Sequence, residues 1–265
     1  MIRQGWVRVQ PPWGGQEKVV SLRPEDVHTF VLWSKDYSRL LTNKAGLREA
    51  LSIYDQIFCH FTITGLGGTP LEPGVPPWGE AITQIPALIE FTGHPHRVTV
   101  RFDPIIHWEE GVKSNLPYAE RVFSACAQHG VRDIRISFAT LYGKVLRRPS
   151  WRWYEPPLEA RLEMARWLVE MASSLGLSIY ACSDVSLERV GALPSSCIDG
   201  RLLTSLHPLG LPAATEKDRG QRRECGCTIS MDIGSYKQRC LGSCVYCYAN
   251  PVLPQRDSRV REKNR

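Results

Sequence analysis

PPLEARLEMARWLVEMASSLGLSIYAC, residues 156–182, reads as one helix followed by one strand. Pro157 stands near the start of the helical pattern and Gly176 fits its stop. Leu158, Leu162, Ala165 and Leu168 or Val169 recur at helical spacing, which gives the helix one apolar face. LSIYAC (177–182) then predicts a strand. The same unit recurs upstream. LREALSIYD (47–55) precedes IFCHFTI (57–63), WGEAITQIPALIEFTG (78–93) precedes RVTVRF (97–102), and PYAERVFSACAQHG (117–130) precedes DIRISF (133–138). FVLWS (30–34) adds a strand ahead of them. Such alternation predicts an α/β fold with a parallel sheet and helices outside it. The first expectation is a TIM-like (βα) barrel, partial or permuted, because a full barrel needs eight strands. Five strands are firm here, and weaker ones lie at 6–9 and 18–21. An open doubly wound sheet is the second expectation.

Alternation within the strands separates two faces. Cys59, Phe61 and Ile63 oppose His60, Thr62 and Thr64; Val98, Val100 and Phe102 oppose Thr99, Arg101 and Asp103. Ile134, Ile136 and Phe138 oppose Arg135 and Ser137; Ile179 and Ala181 oppose Tyr180, Cys182 and Asp184. The apolar set is expected against the helices and the polar set inside. Buried polar groups are costly unless satisfied, so the polar rows predict a wet, ligand-holding cavity; an internal hydrogen-bond network is the alternative. The polar groups gather late in the strands, at Lys35, Thr64, Asp103 and Asp184, where barrels keep their active sites. Arg101 and Asp103 are therefore candidate catalytic residues, or a salt bridge that stiffens the mouth. Lys35 is a candidate anion contact. His60 reads as a core histidine, because no second histidine stands at metal-ligand spacing from it.

No apolar run approaches the length of a membrane span. The first residues lack the apolar stretch of a signal peptide, so the expectation is a cytoplasmic protein without a membrane partner. In that compartment nine cysteines do not form a disulfide framework. Cys59, Cys126, Cys182 and Cys197 are scattered and read as small buried hydrophobes, with Cys182 the exception to watch. The other five crowd into residues 225–247. A net charge of +6 permits an anionic partner and supports nucleic acid only weakly. RRPSWRWYEPP (147–157) mixes arginines with aromatics as single-strand binders do. It reads first as a loop whose tryptophans pack on the barrel. The expected division is a barrel-like domain over 1–220, a cysteine-rich iron–sulfur segment packed on it over 221–250, and a basic disordered tail over 251–265.

CLGSCVYCYAN (240–250) places Cys240, Cys244 and Cys247 in a C-x3-C-x2-C pattern, with Tyr246 before the last. Thiolates bind zinc or iron–sulfur clusters, and structural zinc prefers C-x2-C pairs. Three thiolates on one tight loop can hold three corners of a [4Fe–4S] cube and leave the fourth iron open. The pattern resembles the signature of radical S-adenosylmethionine (SAM) enzymes, above all the cluster loop of spore photoproduct lyase and its relatives. The resemblance implies that Cys240, Cys244 and Cys247 ligate the cluster and that SAM binds the open iron, with Tyr246 near its adenine. Reductive cleavage of SAM would then yield a radical that abstracts hydrogen from a substrate, with a ferredoxin or flavodoxin as electron donor. In those enzymes the loop follows the first barrel strand. Here it comes near the C-terminus, so a permuted order is expected, in which neighbouring last and first strands bring it to the same place. The Gly-Gly-Glu clamp of those enzymes has no counterpart, since Gly67-Gly68-Thr69 is not a match.

A wider resemblance runs over nearly the whole chain. VLWSKD (31–36), HFTITG (60–65), RFDPI (101–105), ISFATLY (136–142), the run at Cys197-Ile198-Asp199 and QRRECGC…MDIGSY…CLGSCVYCYAN (221–250) are similar to the domain of unknown function 1848 family. That family ends in a cysteine cluster like the radical SAM one and carries no established reaction. Its members usually begin with a strand containing a Ser-Arg-Arg-Thr-Asp-like run, and a barrel without that strand would have a gap beside the cluster. Cys225 and Cys227 leave alternatives open. One of them could close the cluster as a fourth ligand, for structure, electron transfer or nucleic-acid binding without radical chemistry. The pair could instead bind a second metal or act as redox thiols. A C-x-C pair is too tight for an easy disulfide. Zinc in the 240–247 loop is a third reading. Asp232, in MDIG, reads as a turn residue.

Overall fold

The computed structural model describes residues 1–10, 16–148, 151–234 and 238–253. Strands are β1 (Trp6–Val9), β2 (Lys18–Ser21), β3 (Phe30–Ser34), β4 (Ile57–Thr62), β5 (Val98–Ile105), β6 (His107–Trp108), β7 (Lys113–Ser114), β8 (Asp133–Phe138), β9 (Trp153–Tyr154), β10 (Ser178–Ala181) and β11 (Leu193–Pro194). The α-helices are α1 (Ser38–Leu41), α2 (Leu47–Leu51), α3 (Trp78–Ile82), α4 (Gln84–Thr92), α5 (Ala119–Gln128), α6 (Gly143–Leu146), α7 (Leu158–Ser174) and α8 (Gly200–Leu206). None is long and apolar enough to cross a membrane.

The main sheet has six strands in the order β11-β10-β8-β5-β4-β3, and each neighbouring pair is parallel. The order follows the chain without reversal. A doubly wound sheet reverses its order at a switch point, so that alternative is excluded. Parallel crossovers are right-handed, and a sheet wound in one direction puts its crossover helices on one face. The chain is thus an α/β protein built on a singly wound, six-stranded parallel sheet. Among the described residues β3 and β11 remain edges, and the sheet does not close.

The face against the helices is the predicted apolar one. Phe61, Val100, Phe102, Ile134, Ile136 and Ile179 form one core with Ile85 and Leu88 of α4, Val122 and Phe123 of α5, and Ala165 and Leu168 of α7. Burying a side chain such as Leu168, fully shielded here, stabilises the fold by about 1.5–3 kcal/mol. Helix α7 begins after Pro157 and ends before Gly176, whose φ of 69° is left-handed. Its expected bounds therefore hold to within two residues.

Some elements depart from expectation. The segments 6–9 and 18–21 are strands, but they pair with each other as an antiparallel hairpin outside the main sheet. The sixth strand, β11, is two residues long and too short for a pattern. Trp153–Tyr154 pairs with His107–Trp108 in a small antiparallel sheet, where Trp151 stacks on Trp153 at 5.7 Å between centroids. The tryptophans of 147–157 thus pack on the body, as expected of a loop. Most of the predicted tail, 254–265, lies outside the described residues.

Candidate functional site

The cysteine loop sits at the carboxyl ends of β3 and β4. After β4 the chain runs through a Gly- and Pro-rich segment, and this segment holds the loop by its main chain. Gly74 N donates to Gly242 O at 3.2 Å, and Val245 N donates to Leu71 O at 3.0 Å. The approach is close: a Cβ on Gly74 would stand 1.9 Å from Leu241 O. The ends of the loop are tied together, with Cys240 N donating to Asn250 O at 2.8 Å and Val252 N to Cys240 O at 2.9 Å. Cys244, Val245 and Tyr246 pack against Leu66, Leu71, Ile106 and Val145. Arg148 donates to Val245 O.

Tyr246 is buried, and its hydroxyl donates to Glu72. Lys35 Nζ, one residue beyond β3, donates to Glu72 Oε1 at 2.9 Å and to the Tyr246 hydroxyl at 3.0 Å. Thr64 Oγ1, just beyond β4, donates to the same carboxylate oxygen at 2.6 Å. Burial works against the charge on Lys35, but Glu72, Cys244 and Asp103 outweigh it and raise its pKa. Burial, with Glu72 beside it, pushes the Tyr246 phenol up. Lys35 is therefore held as an ammonium and Tyr246 as a neutral phenol, both on the Glu72 side chain. Lys35, expected as an anion contact, finds its anion in Glu72.

The three loop thiols differ in exposure: Cys240 is exposed, Cys247 partly buried and Cys244 buried. Burial pushes Cys244 up to about 12, with Lys35 pulling the other way. Gly242 separates two of the sulfurs: a Cβ there would lie 3.5 Å from Cys240 Sγ and 3.8 Å from Cys244 Sγ. A side chain at this position would fill the space between them. The donor set and this bare cradle fit an iron–sulfur cluster, whose ligands are thiolates. The thiols are gathered but not converged. Among the described residues, no three His, Cys, Asp or Glu side chains are arranged to hold a metal ion. A cavity of about 430 Å³ borders the exposed side at Cys240, Asp232, Arg239 and Asn250. Asp232 takes its expected turn role, accepting from Gly234 N at 2.8 Å.

The segment 195–198 lies over the polar face of the sheet. His60 Nε2 meets Cys197 O at 2.7 Å, and Arg135 donates to Thr99 Oγ1 at 2.8 Å and to Ser196 O at 3.0 Å. His60 is the core histidine expected. Arg101 and Asp103 face one way and pair with each other, and Asp103 also accepts from Ser137. A larger cavity, of about 590 Å³, lies elsewhere, among Leu66, Trp108, Tyr118 and Trp151. The polar row thus forms a hydrogen-bond network, in which buried His60 Nδ1 and Arg135 Nε make no hydrogen bond among the described residues.

That row also assembles a second thiol group. Arg101 Nη1 lies 2.8 Å from Cys197 Sγ, and Cys182 Sγ lies 3.9 Å from Cys197 Sγ. The amides of Cys197 and Ile198 donate to Cys227 Sγ at 3.2 and 3.4 Å. Hydrogen bonds from the Cys182 and Cys227 thiols, with Arg101 beside them, hold Cys197 far below the ordinary thiol range. Cys182 and Cys227 are pushed up, first by those same bonds and then by burial. The scattered cysteines thus divide. Cys59 and Cys126 are buried core thiols, whereas Cys182 and Cys197 are not mere packing. One sequence signal bears on this group: Cys182 lies on the polar row of its strand. Glu72 carries no sequence signal beyond its place in the loop after β4.

One solved structure with partial likeness is the crystal structure of a probable tagatose 6 phosphate kinase from Sinorhizobium meliloti 1021, at 13% identity and a TM-score of 0.33. The match covers 62% of this chain and 45% of that one, so it spans less than half of that protein. None of the curated proteins matches the chain. A family model described as "Domain of unknown function (DUF1848)" matches residues 1–249, which takes in both thiol groups and every strand of the sheet, and the chain belongs to that family.

Proposed function

We propose that the protein is a radical SAM-like iron–sulfur enzyme in which Cys240, Cys244 and Cys247 hold a [4Fe–4S] cluster with one iron open to SAM. The observation that carries this reading is the seat of the loop, at the carboxyl end of the first sheet strand and pinned there through Lys35, Glu72 and Tyr246. In barrel-type folds that end carries the chemistry, and a six-stranded partial barrel is the finer form of the fold that this reading uses. When bound, the cluster supplies the electron that cleaves SAM reductively.

The chain's own residues position and shield. Glu72 and Lys35 fix Tyr246 and so orient the turn between Cys244 and Cys247, with the SAM adenine expected beside this aromatic. Leu71, Val245 and Ile106 keep water from the Cys244 side. Cys240 faces solvent, where SAM and an electron donor such as a ferredoxin or flavodoxin can approach. Arg101 and Asp103 act as positioning residues, since they are already paired with each other. Cys227 is engaged with the 197–198 amides, which supports an open iron over a closed cluster.

The test is anaerobic reconstitution followed by iron, sulfide and 5′-deoxyadenosine analysis. Wild-type protein is expected to take up a full cluster and cleave SAM, and Cys244→Ala to do neither. Cleavage that persists in Cys244→Ala would sink the reading.

A further inference from the structure

We propose that Cys182, Cys197, Cys225 and Cys227 form a second metal site, a tetrathiolate for a single zinc ion, distinct from the 240–247 loop. Zn–S bonds of about 2.3 Å set the edge of a tetrahedral site at about 3.8 Å, and Cys182 Sγ and Cys197 Sγ stand 3.9 Å apart. A disulfide needs about 2.05 Å, and all of these cysteines are free. A four-iron cube spreads its ligand sulfurs much farther apart than this pair.

A zinc ion with four thiolates is a doubly negative unit, and burying it requires donors and positive charge. Both are present. Arg101 lies against Cys197 at 2.8 Å and reaches Cys182 at 4.0 Å, and buried Arg135 holds Ser196 O. Two backbone amides already point at Cys227 Sγ.

The C-x-C turn is held close to the Cys197 segment. A Cβ on Gly226 would stand 2.5 Å from Ser196 Oγ and 3.1 Å from Ser195 O, so a side chain there would push Ser196 aside. Ser196 Oγ donates to Gly226 O at 2.8 Å, and Thr228 N donates to Ile198 O at 2.9 Å. The two segments are thereby locked side by side, with Cys225 and Cys227 flanking the bridge. The four sulfurs do not yet converge on one point. Closing the cage requires the Cys225 and Cys227 sulfurs to move toward Cys182 and Cys197 while Cys227 Sγ stays within reach of the two amides.

The experiment is cobalt substitution in the full chain, stripped of metal under reducing, oxygen-free conditions. Cobalt in a tetrahedral tetrathiolate gives intense visible bands and a sulfur-to-metal charge-transfer band. The Cys240→Ala/Cys244→Ala/Cys247→Ala variant, which lacks the cluster loop's thiols, is expected to bind one cobalt per chain with these bands and to release it to zinc. Cys182→Ser is expected to lose that binding. Cys225→Ser, the milder change at the partly exposed cysteine, is expected to weaken binding and shift the bands toward a three-thiolate site. Retention of unchanged bands in Cys182→Ser and Cys225→Ser would overturn the proposal. So would the absence of tetrathiolate bands in the triple variant, a sulfide-containing cluster there, or a Cys182–Cys197 disulfide in the reduced protein. Because the triple variant lacks the loop's thiols, failure of the SAM reading leaves this result untouched.

Discussion

Lys35 Nζ lies 3.0 Å from the hydroxyl of Tyr246, across 211 residues of sequence. This contact joins the end of the first sheet strand to the middle of the cysteine loop. It is completed by Glu72, whose side chain is 1% exposed and which Lys35 meets at 2.9 Å.

Removing Glu72 leaves an ammonium and a phenol without their shared acceptor. Breaking a buried ion pair from one side costs about 3–5 kcal/mol. Glu72→Ala is expected to lower unfolding free energy by that order in denaturant titration and to reduce iron uptake by the loop. Arg152→Ala, which breaks an exposed pair with Glu110, is expected to cost less than about 1 kcal/mol.

Gly74→Ala tests the main-chain seat. The added Cβ would meet Leu241 O at 1.9 Å, so the loop must move. Overpacking of this kind costs about 1–3 kcal/mol. Lower iron content per chain after reconstitution is expected, with far-UV circular dichroism unchanged. Wild-type iron content would show that the loop does not depend on this approach.

His60 gives a pH dependence. Burial lowers its pKa to about 3, with Arg135 and Arg101 adding to the effect. The folded value lies below the ordinary 6.5, so the unfolded chain takes up the proton first as pH falls. The stability tied to neutral His60 is full above about 6.5 and declines by up to about 1.4 kcal/mol per pH unit from there toward 3. Denaturant unfolding of metal-free protein between pH 4 and 7 should show this slope, and His60→Asn should flatten it.

Arg101→Leu separates positioning from ligation. Losing an outer-shell partner weakens metal affinity by about 10- to 100-fold. Cobalt is expected to bind this variant more weakly with its tetrathiolate bands intact. Loss of the bands altogether would mean that Arg101 shapes the site, not only its charge.

Much of the fold was legible because its signals are local. Period-two alternation in 98–102 and 133–138 separated the helix face from the polar face, and Leu158 to Leu168 marked α7. Strand membership was harder. Segments 6–9 and 18–21 are strands by composition, yet their partners are set by tertiary packing, and they pair with each other. The loop thiols announce themselves within eight residues. Cys182 and Cys197 do not, since they meet only when the segment after β11 folds back over the polar row. That fold-back also explains the cavity expectation: the polar row was read correctly, but the chain covering it cannot be seen in the strands alone.

The measurement that bears most directly on the central claim is EPR spectroscopy of the anaerobically reconstituted, dithionite-reduced protein, with and without SAM. A cluster with one open iron on this loop gives a reduced [4Fe–4S] signal that changes when SAM is added and that is absent from Cys240→Ala, Cys244→Ala and Cys247→Ala proteins. A cluster signal indifferent to SAM would contradict it, because every iron of the cluster would then be closed.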